Sequence, residues 1–245
     1  MIALVLAAGY GTRMYPLTEQ TPKTLLPVGS GSILGLLLQK LAPSGVGVTR
    51  IVLVSNHRFA EPFQRWFSNT RTPAPWVVLD DGSTSDADRL GSVGDLAFAV
   101  RQEKIDDDLL VLGSDNLFEA KLTDFMEFAR EKGDITLGAY ELPDLALASR
   151  YGVLSVDSSG RITAFTEKPV RPASRLISTA VYFFPRRTLP RVLEYVSSSQ
   201  SADTLGPFIS WLIAREPVHA YRLPGRWFDI GDIASYKHAQ ETFRS

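Results

Sequence analysis

Four short apolar runs, IALVLA at 2–7, IVLV at 51–54, WVVL at 76–79 and LLVL at 109–112, constrain this chain more than any other feature. Each is nearly continuous rather than alternating, which suits strands buried on both faces of a parallel sheet. The stretches between them, about 32–42, 59–68 and 90–103, have helical apolar spacing, as does 122–132 after the fourth run. Strand and helix in alternation predict a doubly wound α/β sheet. The second half changes character. There 134–140, 152–156, 161–166 (RITAFT, alternating) and 177–184 read as strands, with helices near 186–197, 204–214 and 232–243. The expected fold is a single α/β domain whose mostly parallel, mixed sheet is flanked by helices. No repeat or linker divides it. The serine-rich stretch 197–201 reads as a surface loop, with Asp203 helping to start the helix that follows.

With 245 residues the chain is long enough for one well-buried core. Its net charge of −1 gives no reason to expect nucleic acid or an anionic membrane as a partner, so any anion site must be a local cluster of cations and backbone amides. The absence of cysteine excludes disulfides, thiolate metal sites and a cysteine nucleophile. No cationic segment precedes the apolar start, so residues 2–7 are expected to be a buried strand rather than a signal peptide. No run has transmembrane length, and a cytoplasmic location is expected.

The segment LAAGYGTRMYPLTEQTPKTLLPV, residues 6–28, leaves the first strand at the sheet edge where open parallel sheets bind ligands. Gly9 and Gly11 permit positive φ and close approach of backbone to a ligand, and consecutive amides in such a turn form a concavity for phosphate oxygens. Arg13 and Lys23 are the only cations before residue 40. A dinucleotide G-x-G-x-x-G is excluded by Met14, and no Gly-Lys-Ser/Thr is present to make a P-loop. A plain turn with two solvated cations is the alternative for this segment alone.

The whole segment resembles the signature of nucleotidyltransferases that activate sugar 1-phosphates: L-A-A-G-x-G-T-R-L, then P-x-T, P-K and L-P-V. It departs mainly at Met14, which replaces a leucine. GSDN at 113–116, EKP at 167–169 and WFDIGD at 227–232 match later family segments in the same order. The resemblance implies a Rossmann-like domain in which a sugar phosphate oxygen attacks the α-phosphorus of a nucleoside triphosphate and pyrophosphate leaves. It implies a nucleotide part up to about residue 115 and a sugar-phosphate part from 116 to 245. Leu6, Ala8, Gly9, Gly11, Thr12 and Arg13 would hold the nucleotide, Arg13 assisting the leaving pyrophosphate and Lys23 neutralising charge at the α-phosphorus. Arg13, Lys23 and Asp115 would be the catalytic residues. Asp115 and Asp229 would bind Mg2+, a cation commonly held by one or two carboxylates with substrate phosphates and waters. As alternatives, Asp115 reads as a polar strand terminus and Asp229 as a helix cap or Asx turn; Asp232 reads as the cap of the last helix.

For the acceptor, the resemblance implies that Glu167 binds sugar hydroxyls and Lys168 the sugar phosphate. Adjacent side chains in a strand point to opposite faces, so this pair needs a bend to serve one ligand. Tyr151 and Gly152 resemble a sugar-pocket segment, Gly152 letting a hydroxyl approach the backbone. In ISTAVYFFP, Ser178 and Thr179 stand where asparagine is common, which leaves an amino-alcohol phosphate open as an acceptor. Residues 80–95 hold five aspartates and one arginine, and most of the carboxylates are expected to face water. Gly91 aligns with a glycine that lies against the nucleobase in the family. Asp80 or Asp81 is a candidate for reading the base edge; a carboxylate only accepts hydrogen bonds, which favours the amino groups of cytosine or guanine. A solvated acidic loop is the alternative.

His57, His219 and His238 show no metal spacing, Trp66, Trp76 and Trp211 read as packing residues, and Trp227 is placed to shape the site indirectly. A nucleotide-sugar-dependent glycosyltransferase would commonly carry Asp-x-Asp, which Ser114-Asp115-Asn116 does not supply. A non-catalytic nucleotide-sugar sensor remains as another alternative. The chain stops shortly after the last expected helix, so a β-helix extension known in some relatives is not expected, and oligomeric state stays open between monomer and small homo-oligomer.

Overall fold

The computed structural model describes residues 1–198 and 201–243, so part of the 197–201 stretch lies outside the described residues. The chain begins with β1 (Ile2–Leu6), which leads through 3-10 turns at Thr12–Met14 and Lys23–Leu25 to a small hairpin, β2 (Pro27–Val28) and β3 (Gly31–Ser32), and then α1 (Ile33–Gln39). Next come β4 (Arg50–Ser55), α2 (His57–Ser68), β5 (Trp76–Asp80), α3 (Ser92–Gln102) and β6 (Leu109–Gly113). The second half holds β7 (Asn116–Phe118), α4 (Leu122–Lys132), β8 (Ile135–Glu141), β9 (Gly152–Val156), β10 (Ile162–Glu167) and β11 (Leu176–Phe184). It ends with α5 (Leu189–Ser197), α6 (Leu205–Ile213), β12 (Val218–Arg222), β13 (Trp227–Asp229) and α7 (Ile233–Thr242).

Nine strands form one mixed sheet in the order β10-β9-β11-β6-β1-β4-β5, with β8 and β12 branching from β11. β1 lies between β6 and β4, parallel to both, with Leu4 opposite Val111 and Val52. The first strands read as continuous apolar runs because both sheet faces are covered. Val93 and Leu96 of α3, Val192 of α5 and Phe208 of α6 cover one face, whereas Leu37 of α1, Phe63 and Phe67 of α2 and Phe125 of α4 cover the other. A smaller cluster ties Met14 of the opening loop to Leu117 of β7, Phe228 of β13 and Tyr236 of α7. Met14 is wholly buried there, and methionine for leucine nearly conserves core volume.

Two local features position the site. β11 antiparallel to β8 is irregular: Ser178 faces Ala139 but Tyr182 faces Leu137, so the strand bulges between them. Thr179 turns its hydroxyl inward to donate to the Gly138 carbonyl at 2.9 Å. β7 and β13 form a separate two-stranded antiparallel ribbon, with Asn116 opposite Asp229 and Phe118 opposite Trp227. β2, β3, β7, β12 and β13 lie outside the expected elements; the longest has five residues, VHAYR, and carries no apolar run. Among the described residues no helix is long and apolar enough to cross a membrane.

Candidate active site

The loop after β1 is built to present backbone amides. Gly11 sits in the left-handed region at φ 63°, and its carbonyl accepts from the Thr18 hydroxyl at 2.7 Å. Asn56, wholly buried, donates from Nδ2 to the Ala8 carbonyl at 2.9 Å while its Oδ1 caps α2. Leu6 accepts from the Ser114 amide at 3.2 Å, which ties the loop to the end of β6. Among the described residues, no hydrogen bond within the chain uses the amides of Gly9, Tyr10, Gly11, Thr12 or Arg13. A run of unengaged amides on a left-handed turn is an anion cradle.

The ribbon solves the problem of bringing two distant aspartates together. Asp115 directly precedes β7 and Asp229 ends β13; the Ile230 amide donates to the Asp115 carbonyl at 3.0 Å. Lys23 donates to Asp115 Oδ2 at 2.7 Å and Asn116 Nδ2 to Asp115 Oδ1 at 2.8 Å. Burial alone would push the Asp115 carboxyl up, but the Lys23 ammonium and these hydrogen bonds hold it below the usual carboxylate range. Asp229 moves the other way: burial first, then the Asp115 charge, push it up to about 6. The Asp115 charge thus opposes ionisation of Asp229, and the Lys23 and Arg13 cations offset that only in part. Among the described residues no group of three or more His, Cys, Asp or Glu side chains is arranged around a metal position. The donor set is thus two carboxylates, which suits a hard cation that keeps waters and ligand oxygens. Asp232 caps α7 in a capping box with Ser235, as its spacing predicts.

Below the ribbon opens a cleft of about 380 Å3. Arg13, Asp115, Tyr151, Gly152, Glu167, Lys168, Ser178, Thr179 and Asp229 all line it. The bend required by the Glu-Lys pair is present: Lys168 adopts φ 43°, and its ammonium comes within 3.8 Å of Glu167 Oε1. Glu167 packs on the start of α6, where a Cβ added to Gly206 would stand 2.2 Å from Oε2. Two expectations need correction here. The space a side chain at 152 would take is filled by the Phe165 ring, 2.2 Å from an added Cβ, so Gly152 makes room for the facing strand and meets the cleft through its backbone. Thr179 spends its hydroxyl on Gly138, leaving Ser178 and the Tyr182 hydroxyl, 3.4 Å apart, on the cleft floor. Arg150 also lines the cleft without having been singled out by any motif, and so does Asn116, which stands in GSDN but was given no role there.

Most carboxylates of the acidic loop face solvent as expected, Asp80, Asp86 and Asp88 all being exposed. Asp88 accepts from the Thr84 and Ser85 amides and hydroxyls, and Asp86 pairs with Arg89, so these carboxylates fold the loop rather than only face water. Asp80 accepts from the Gly82 amide and meets His57 Nδ1 at 2.7 Å. Asp81 is turned inward: Oδ1 accepts from the Ser83 amide and hydroxyl, and Oδ2 is buried. Asp81 presents no free edge in this conformation, whereas the Asp80 carboxylate stays exposed with one partner on each oxygen. At Gly91 an added Cβ would stand 2.3 Å from Asp203 Cα, and the Ser92 and Val93 amides donate to the Asp203 and Ala202 carbonyls. The chain itself therefore occupies the direction in which a side chain at 91 would point. Asp203 takes the Arg89 guanidinium and does not cap α6, whose N-cap is Thr204.

A sequence model of the nucleotidyl transferase family matches residues 2–245. A UTP–glucose-1-phosphate uridylyltransferase of Synechocystis sp. is 29% identical over 98% of this chain and 62% of its own length. A glucose-1-phosphate adenylyltransferase of Thermotoga neapolitana is 31% identical over 98% of this chain and 59% of its own. This chain thus spans about three fifths of the length of these curated relatives. Among solved structures, a Bacillus anthracis protein assigned as a glucose-1-phosphate thymidylyltransferase, crystallised with sucrose, superposes with a TM-score of 0.78 at 20% identity, covering 98% of this chain and 94% of that one. At that identity the likeness establishes the fold.

Proposed function

This chain belongs to the nucleotidyl transferase family, and from that premise we propose that it transfers a nucleoside monophosphate from a nucleoside triphosphate to a sugar 1-phosphate in the cytoplasm. Residues up to about 115 serve the nucleotide and those from 116 to 245 the acceptor. An oxygen of the acceptor phosphate attacks the α-phosphorus; the new P–O bond forms as the α–β bridging P–O bond breaks, and pyrophosphate leaves with the electron pair. No covalent enzyme intermediate is needed. Bringing two polyanions together and neutralising their charge supplies most of the acceleration.

The unengaged amides of 9–13 suit the triphosphate, and the planar Arg13 guanidinium suits the departing pyrophosphate. Lys23, beside Asp115, is within reach of charge developing at the α-phosphorus. Lys168 and Glu167, turned into one cleft by the bend at 168, suit the acceptor's phosphate and hydroxyls, with Tyr151, the Gly152 backbone and Ser178 as further walls. Asp115 and Asp229 would hold Mg2+, which supplies charge neutralisation and alignment of phosphate oxygens. The observation that carries this reading is the β7–β13 ribbon, which sets both carboxylates at the head of the cleft containing Arg13, Glu167 and Lys168.

The test is Asp115→Ala assayed by pyrophosphate release. Loss of a cation ligand that also fixes Lys23 predicts a fall in kcat of about 10²-fold or more. Turnover within a factor of two of the parent would remove Asp115 from the machinery and with it the cation assignment.

A further inference from the structure

Both oxygens of Asp115 are held from within the protein, and the second holder is itself held. Oδ2 takes the Lys23 ammonium and Oδ1 takes the Asn116 amide. The Asn116 amide has in turn no freedom to flip. Trp227 donates its indole Nε1–H to Asn116 Oδ1 at 2.7 Å, and an indole nitrogen only donates. The carbonyl end of Asn116 must face Trp227, so its NH2 end must face Asp115. Asn116 is buried at 4% exposure, with no water needed to complete the arrangement. The indole is fixed from both sides, its ring centroid 5.6 Å from that of Tyr140 and 5.4 Å from that of Tyr151. Tyr151 is itself a wall of the acceptor cleft.

We infer that Asn116 is a positioning residue for Asp115, and that Trp227 sets the orientation of the Asn116 amide. The physical reason is torsional. A carboxylate on a turn between β6 and β7 rotates about its Cβ–Cγ bond unless each oxygen has a fixed partner, and a cation needs one lone-pair direction held. Lys23 alone fixes one oxygen, and that cation is also the one expected to move towards substrate charge. The amide of Asn116 lies on the ribbon beside Asp229, so it ties the orientation of one carboxylate to the backbone that carries the other. Outer hydrogen-bond partners of metal-binding carboxylates commonly matter tenfold or more in metal affinity.

This inference rests on the reading of Asp115 as a cation ligand, and the experiment separates the two. Mn2+ titrations followed by electron paramagnetic resonance are run on the full chain without substrate. The variants are Asn116→Leu, Trp227→Phe, their double and Asp115→Ala, with thermal unfolding recorded for each. Asn116→Leu should raise the Mn2+ Kd about tenfold or more. Trp227→Phe, which keeps the aromatic packing and so guards against a fold defect, should raise it by a smaller factor. The double variant should be no worse than Asn116→Leu, because both act through one bond to Asp115. Steady-state assays should show the Mg2+ concentration for half-maximal rate rising in parallel with Mn2+ Kd. Parent-like Mn2+ binding in both single variants, with binding lost in Asp115→Ala, would overturn the relay and keep the cation reading. Additive effects in the double variant would also overturn it. Equal Mn2+ binding by the parent and Asp115→Ala would overturn the cation reading and the relay together.

Discussion

Asp95, in the first turn of α3, is buried at 5% exposure, and its Oδ1 and Asp81 Oδ2 are both buried without a donor among the described residues, an arrangement of two carboxyls that one shared proton relieves. Burial, then the Asp81 charge, push Asp95 up to about 8 from a usual value of 3.8. Below pH ~4 the folded and unfolded chains both hold this proton and the burial costs nothing. Between about 4 and 8 the unfolded chain ionises while folded Asp95 stays neutral, so the group favours unfolding progressively as pH rises. Above about 8 the loss levels off. Asp95→Asn keeps an N–H donor for Asp81 and removes the titration. It should stabilise the protein by more than ~1 kcal/mol at pH 8 and have little effect at pH 4, read from urea unfolding at both. A variant destabilised equally at the two pH values would contradict this account. The same residues show where a sequence stops being legible. Asp81 looks like a free base reader at a strand end; its inward turn depends on Asp95, fourteen positions on, and on a Ser83 hydroxyl that could as well have faced water.

At the level of elements, the acceptor cleft depends on how closely α6 meets β10. Glu167, the last residue of β10, occupies the space over Gly206 at the start of α6. Gly206→Ala should push the Glu167 carboxylate from its place. The expected result is a KM for the acceptor raised about tenfold with the nucleotide KM changed far less, since the displaced group is Glu167, proposed to hold the acceptor. Equal changes in both constants would mean that the helix does not serve the acceptor side. The TEKP bend was readable because two adjacent side chains cannot share a ligand on a straight strand, and Lys168 at φ 43° supplies that bend. The aspartates at 115 and 229 were readable as residues, but the ribbon that joins them was not: β7 and β13 have three residues each, too short for a periodic pattern. Gly152 and Gly91 were recognised as close-approach positions, yet what approaches them, the Phe165 ring and the Ala202–Asp203 backbone, is fixed by strand pairing and tertiary packing. Asn56 and Arg150 gave no local signal, because a buried amide or a cleft-lining arginine has no characteristic spacing; Asn116 stood in GSDN, but the motif does not show which groups its amide bonds.

For the whole molecule, the parallel half places the amide cradle at the carboxyl edge of β1, and the ribbon carries the carboxylates from the end of β6 into the second half. One strand order therefore sets the 9–13 loop beside the cleft, which Arg13 and Asp115 both line, and these are the proposed seats of the triphosphate and the acceptor. The uridylyl and adenylyl names of the curated relatives differ in base. With Asp81 turned inward on Ser83, a preference for CTP or GTP no longer follows from that carboxylate, which leaves only the exposed Asp80 as a carboxylate candidate at the base edge. The most direct measurement is pyrophosphate release by the wild-type chain with Mg2+, crossing five nucleoside triphosphates with a panel of sugar 1-phosphates and phosphocholine. The account predicts release that requires both one nucleotide and one sugar 1-phosphate, with a nucleotide sugar formed in equal amount. Release with phosphocholine alone among the acceptors would contradict the sugar assignment, and pyrophosphate formed without any acceptor would contradict the transfer itself.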